Sequence, residues 1–178
     1  MQLKLKASIE DYQIAGLAAL AIGIHVLEAA LPSPLPGIKP GLANIVTMIV
    51  YVLYGVRVAV WVSMLRVFVG SLIIGTFLSP TFLLSFSGVL ASLLVLAVYS
   101  QLRLKMLSIF GLGVLMALAH MVAQLLMVYW FFIPHVALLA LSPVFMTTAL
   151  GFGCLNGFIA LKVINKIDVN SKSGSKLV

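Results

Sequence analysis

Six long apolar runs, separated by short turns that hold most of the polar positions, set the pattern of this chain. They cover roughly residues 12–31, 40–54, 58–78, 80–100, 106–132 and 143–164. A spanning helix takes about 20 apolar residues, so each run is predicted to cross a bilayer as a helix, the second a short one. The fifth is long enough that it must tilt or begin outside the hydrocarbon. The expected fold class is all-α, a polytopic membrane protein of six transmembrane helices. Residues 12–164 form the transmembrane domain, after a short polar lead at 1–11 and before a Lys/Ser-rich tail at 165–178 that is expected to be disordered.

Composition supports this. Of 178 residues, 63% are hydrophobic and 8% charged, with a mean hydropathy of +1.23. Soluble domains carry about a quarter charged residues. No length is left for a soluble catalytic domain. The first run is long enough to span and lacks a small-residue cleavage site, so it is expected to stay as a helix. Cys154, the single cysteine, lies in an apolar run and supplies neither a disulfide nor a metal site.

The net charge is +7, and its placement matters more than its size. Lys4, Lys6, Arg57, Arg103, Lys105, Lys162, Lys166, Lys172 and Lys176 fall on one side of the predicted spans, and only Lys39 on the other. The bias predicts both termini in the cytoplasm and a bilayer, not nucleic acid, as the partner of the positive charge.

Lys39 belongs to a bend, Leu35-Pro36-Gly37-Ile38-Lys39-Pro40-Gly41-Leu42-Ala43-Asn44, that leads into the second run. Pro40 suits a first helical position, where its missing N–H would have no partner in any case. The N–H groups of that helix start would face the same space as Lys39, a geometry suited to an anion. The same residues also serve as an ordinary interhelical turn, and sequence chemistry leaves both readings open. All three even-numbered runs begin with a proline: Pro40, Pro80 and Pro143. The similarity of Ser79-Pro80-Thr81-Phe82 to Ser142-Pro143-Val144-Phe145 hints at a repeat, but helix capping by Ser with Pro at the next position accounts for it more simply.

Polar groups at membrane depth are costly and are candidates for function. Glu28 and Asn44 are expected about one turn below the outer surface, and Arg66 about 15 Å down the third run. His120 is similarly deep in the fifth, with Gln124 one turn outward on the same face. Together with Lys39 these residues form the candidate ligand-binding set. Glu28 and Arg66 suggest an ion pair, yet their depths differ by about 10 Å, so that water or a ligand between them competes with a direct bridge. Structural roles are the alternative for each, and for Asn156. On the first run Ala15, Ala19 and Gly23 form a stripe of small residues, suited either to the chain's own helices or to a separate membrane subunit.

Catalytic signatures are missing. There is no Gly-rich phosphate loop, no His/Glu metal pair, no Ser/His/Asp set and no clustered aspartates to hold magnesium against a diphosphate. Glu10, Asp11, Glu28 and Asp168 are the only acidic residues. The chain is not expected to be an enzyme by itself, nor to carry a covalently bound cofactor.

The segments Pro34–Thr47 and Leu65–Pro80, and more loosely Ala119–Gln124, resemble a bacterial family of small membrane proteins labelled Gx transporter or heptaprenyl diphosphate synthase component I. The resemblance covers nearly all of residues 12–160 and departs at Pro40, where Leu is the expected residue. It implies a bundle similar to the substrate-binding S-components of energy-coupling-factor transporters, in the bacterial cytoplasmic (inner) membrane. In those a pocket opens beneath the loop joining the first two helices, and small residues on the first helix contact a transmembrane coupling subunit, with a separate ATPase as a further partner. It also implies association with membrane redox proteins that use flavin, which makes a flavin nucleotide the preferred ligand, with Tyr51, Phe68, Phe77 and Phe82 available to stack on its ring. The leading expectation is therefore a substrate-binding or translocating subunit for a small organic anion. The alternatives are the noncatalytic membrane component of a polyprenyl diphosphate synthase, with a prenyl diphosphate as ligand, and a structural subunit of a membrane redox complex.

Overall fold

The computed structural model describes residues 9–30, 42, 44–102, 107–132 and 134–174. Among these are six helices and no strand: α1 (Ile9–Ala30), α2 (Asn44–Tyr54), α3 (Val56–Ile74), α4 (Pro80–Leu102), α5 (Ile109–Phe131) and α6 (Val136–Gly174). The bend at 31–41, with Lys39 and Pro40, lies outside the described residues, as do Lys4, Lys6, Arg103, Lys105 and Lys176. By length and composition α3, α4, α5 and the Ala140–Ile167 part of α6 can each cross a membrane. The apolar part of α1, Ile14–Ala30, sits at the short end of that range. With 11 residues, α2 is about 16 Å long and reaches through only half of a ~30 Å hydrocarbon layer.

Local chemistry explains most of the boundaries. Ser79 and Pro80 open α4 as expected, with Ser79 Oγ accepting the Phe82 N–H at 3.4 Å. Ser108 caps α5 by accepting the Gly111 N–H at 3.2 Å. Gly75, in the left-handed region at φ 77°, ends α3. The similar Ser142-Pro143 pair does not open α6. That helix starts at Val136, with Leu138 N–H bonded to His135 C=O at 3.0 Å, and Pro143 lies inside it. An interior proline removes one helical hydrogen bond, and neighbouring groups in a packed bundle can take up the freed carbonyl. α6 then continues to Gly174, ten residues past its expected end at Ile164, through a stretch where a disordered tail was expected. Residues 165–173 hold neither Pro nor Gly, and each residue added to an existing helix gains a hydrogen bond.

Two apolar clusters hold the bundle together. One joins all six helices through Ala21, Val50, Val62, Leu96, Met116 and Ala160. The other joins α4, α5 and α6 through Leu84, Met121, Leu125 and Phe145. Where α5 crosses α6 the backbones nearly touch. A methyl group on Gly157 would stand 2.7 Å from the Phe110 carbonyl oxygen, and one on Gly113 would stand 2.9 Å from Gly157 Cα. In lipid, where helices gain nothing by leaving water, such close approach is the main source of association. Gly157→Ala should therefore cost about 1–3 kcal/mol by forcing the two helices apart. Gly151→Ala, where nothing lies within 4 Å, should be neutral or stabilising by up to about 1 kcal/mol. Reversible unfolding of both variants in mixed detergent micelles measures the difference.

Candidate functional site

The site is built on a hairpin. α2 and α3 are joined by Gly55 alone, at φ 87°, with its N–H bonded to Tyr51 C=O and its own C=O taking the Ala59 N–H. Two helices folded back around one residue bring together positions equally distant from it. Thr47 and Ser63, each eight residues from Gly55, bond through their hydroxyls at 2.8 Å. Asn44 and Arg66, each eleven away, bond from Arg66 Nη2 to Asn44 Oδ1 at 3.4 Å. The first residue of α2 therefore lies level with the middle of α3.

From Asn44 a chain of buried side chains crosses the bundle. Asn44 Nδ2 donates to Ser92 Oγ of α4 at 3.3 Å. Ser92 Oγ donates to the Met116 carbonyl of α5 at 3.1 Å and lies 3.4 Å from His120 Nδ1. His120 Nε2 is 2.9 Å from Gln124 Nε2. Donor counting assigns the protons: a hydroxyl has one hydrogen, and Met116 takes the one on Ser92. Ser92 then accepts from Asn44, and the tautomer that carries the proton on His120 Nδ1 lets the ring donate to Ser92 and accept from the Gln124 amide at Nε2. The imidazole lies so close to α4 that a methyl group on Gly88 would be 2.6 Å from it. Glycine makes the space that the ring fills.

Both ends of this chain carry unmet groups. Arg66 is 2% exposed, and its Nε and Nη1 have no hydrogen-bond partner. Gln124 is fully buried, and its Oε1 has none either. Glu28 is buried nearby and acts electrostatically on Arg66, but no bond joins the two. Its Oε1 instead accepts the Leu42 N–H at 2.8 Å. What separates this acid from this base is thus the first turn leading into α2. The expected level of Asn44 above Arg66 is corrected accordingly: the register around Gly55 sets Asn44 beside Arg66, while Glu28 reaches the start of α2 through Leu42.

Of the remaining candidates, His120 and Gln124 join the network and Lys39 lies outside the described residues. Ala15, Ala19 and Gly23 are exposed and face away from the bundle. With Leu20, Leu27 and Ile73, Ala19 and Gly23 line a shallow apolar groove of about 720 Å³. The aromatic residues divide. Phe68, Phe77 and Phe82 pack on one another, and Phe68 and Phe82 also on Phe86, whereas Tyr51 pairs with Tyr99 at 6.0 Å in a separate contact. Ser92, which joins three helices, was not among the sequence candidates. Serine is common in spanning helices and nothing in its immediate neighbours marks it out. Asn156 is buried as well, on α6. Among the described residues no group of three or more His, Cys, Asp or Glu side chains is placed to hold a metal ion.

A scan against protein-family models matches residues 17–163 to the family described as heptaprenyl diphosphate synthase component I. No curated protein and no solved structure matches the chain significantly.

Ser92→Ala leaves the Asn44 amide and the His120 Nδ1–H without their acceptor and should cost about 1–3 kcal/mol. Ser87→Ala loses only a bond to the Leu84 carbonyl of its own helix and should cost less than about 0.5 kcal/mol. Equal losses in detergent unfolding would show that the cross-helix chain contributes nothing to holding the bundle.

Proposed function

The chain belongs to the heptaprenyl diphosphate synthase component I family, and from that premise we propose that it is a noncatalytic membrane subunit. It holds an organic anion where α2 begins, with Arg66 as the cationic contact, while a partner subunit carries out the chemistry. The observation that supports this is the Arg66 guanidinium, buried among apolar helices with two of its three nitrogens unmatched. A buried charge with unmet donors is costly, and an anionic ligand supplies the acceptors that the protein does not. The family description makes an isoprenoid anion the first ligand to consider. An isoprenoid tail is apolar and suits a site whose walls are membrane helices.

Asn44 and Glu28 then act on the ligand through α2. Glu28 anchors the turn at Leu42, and Asn44 ties the helix start to Arg66 and to α4, so both are positioning residues. His120 and Gln124 form the far wall. The distribution of Lys and Arg favours both termini on the cytoplasmic side, where a soluble partner would meet them. The outward groove of α1 is the face available to a second membrane subunit.

The test is chemical. Protein purified in mild detergent is extracted and the bound small molecules identified by mass spectrometry, for the natural chain and for Arg66→Gln. The expected result is an isoprenoid anion at near-stoichiometric amount in the natural chain and at least a tenfold loss in the variant. A flavin nucleotide in its place would move the assignment to a transport subunit with energy-coupling partners. A natural chain that retains no ligand, from membranes in which its partner is present, would point to a structural subunit.

A further inference from the structure

The charges around Arg66 limit the ligand further, given the isoprenoid-binding reading above. Arg66 and Glu28 are the only Lys, Arg, Asp or Glu side chains that are buried among the described residues, and they carry opposite charges. Glu28 is held by the Leu42 N–H and acts on Arg66 without bonding it. The start of α2, an 11-residue helix, adds about half a positive charge at the same place. No group of acidic or histidine side chains among the described residues could hold a metal ion to neutralise a multiply charged head. The positive side thus amounts to about one and a half charges, of which Glu28 already offsets one.

We infer that the site between Arg66 and the start of α2 takes a head group with a single negative charge, of the carboxylate type, and discriminates against an ionised diphosphate. A monoanion leaves about half a charge unbalanced, whereas a diphosphate with about three leaves more than two, in a layer where unpaired charge is strongly disfavoured. Geometry agrees. Arg66 Nε and Nη1 are both free and lie on different edges of the guanidinium, and a planar carboxylate takes two parallel bonds from one edge by pairing either of them with Nη2. The long 3.4 Å contact between Arg66 and Asn44 is the bond a ligand would most easily displace.

The inference is tested with three C15 isoprenoids that differ only in the head: farnesoate, farnesyl diphosphate and farnesol. Binding to the full chain in phosphatidylcholine nanodiscs is measured at neutral pH and corrected for empty discs. Farnesoate should bind at least tenfold more tightly than either of the others, and Arg66→Gln should remove the preference. Arg66→Lys, which keeps the charge, is expected to preserve the order of the three and covers the case in which the Gln variant does not fold. Lys39→Gln is measured alongside as the other candidate cation, and Lys166→Gln, at an exposed position of α6, should leave the order unchanged. The inference is overturned if the diphosphate binds as tightly as farnesoate, if farnesol does, or if the preference depends on Lys39 and not on Arg66. In each of these cases isoprenoid binding persists and the membrane-subunit reading stands. If none of the three binds, that reading falls together with the inference.

Discussion

A guanidinium buried among apolar helices calls for acceptors, and this bundle brings Arg66 only one of its own. Arg66 sits midway along α3 and donates to Asn44 Oδ1 of α2, from which the polar side chains run on through Ser92 of α4 to His120 and Gln124 of α5. Each of them is in turn committed to another, so that Asn44, Ser92, His120 and Gln124 hold fixed orientations across α2, α4 and α5. Such a chain ties helices together in a direction that apolar contacts leave soft, because side chains in lipid gain little from one apolar neighbour over another.

The two halves of the bundle solve the packing problem differently. α5 and α6 approach through Gly113, Gly153 and Gly157, with backbone against backbone and no space for a single added methyl group. α1 and α3 also meet closely, at Gly70, but there the space of the missing side chain is filled by the His25 ring, 2.8 Å from where a Cβ would stand. Gly88 and His120 repeat that arrangement between α4 and α5. Glycine opposite histidine leaves room for an imidazole against a neighbouring backbone, and so permits polar rings in the interior without widening the helix spacing. The crossing of α5 and α6 brings backbones together, while the connected chain of buried polar side chains runs from α3 through α2 and α4 to α5.

The fold class was legible because apolar length is a strong signal: in a chain with 8% charged residues, helices must satisfy their own backbones. The capping by Ser79 and Pro80 was legible for a local reason, since both residues act within one turn. The same two residue types at 142 and 143 misled, because a helix that already has seven residues before a proline can run through it. Asn44, Arg66, Glu28, His120 and Gln124 were recognisable singly as polar groups in apolar surroundings. Their relation was not, because depth counted from an assumed helix start at Pro40 placed Asn44 too high. Counting from Gly55 in both directions pairs Asn44 with Arg66 and Thr47 with Ser63. That arithmetic uses the sequence alone once the turn is known to be one residue. Ser92 had no comparable signal, since its partners lie 24 to 48 positions away along the chain.

The single-residue turn at Gly55 also sets a rule about length. One residue inserted anywhere between Thr47 and Ser63 would slide one arm of the hairpin by about 1.5 Å and rotate it by about 100° against the other. Both polar pairs would part at once, although every side chain that makes them would still be present. Apolar residues in the same stretch can be exchanged at modest cost, but its residue count cannot change. The interval from 44 to 66 therefore behaves as a ruler, and among sequences that build the same site its length should vary less than its composition.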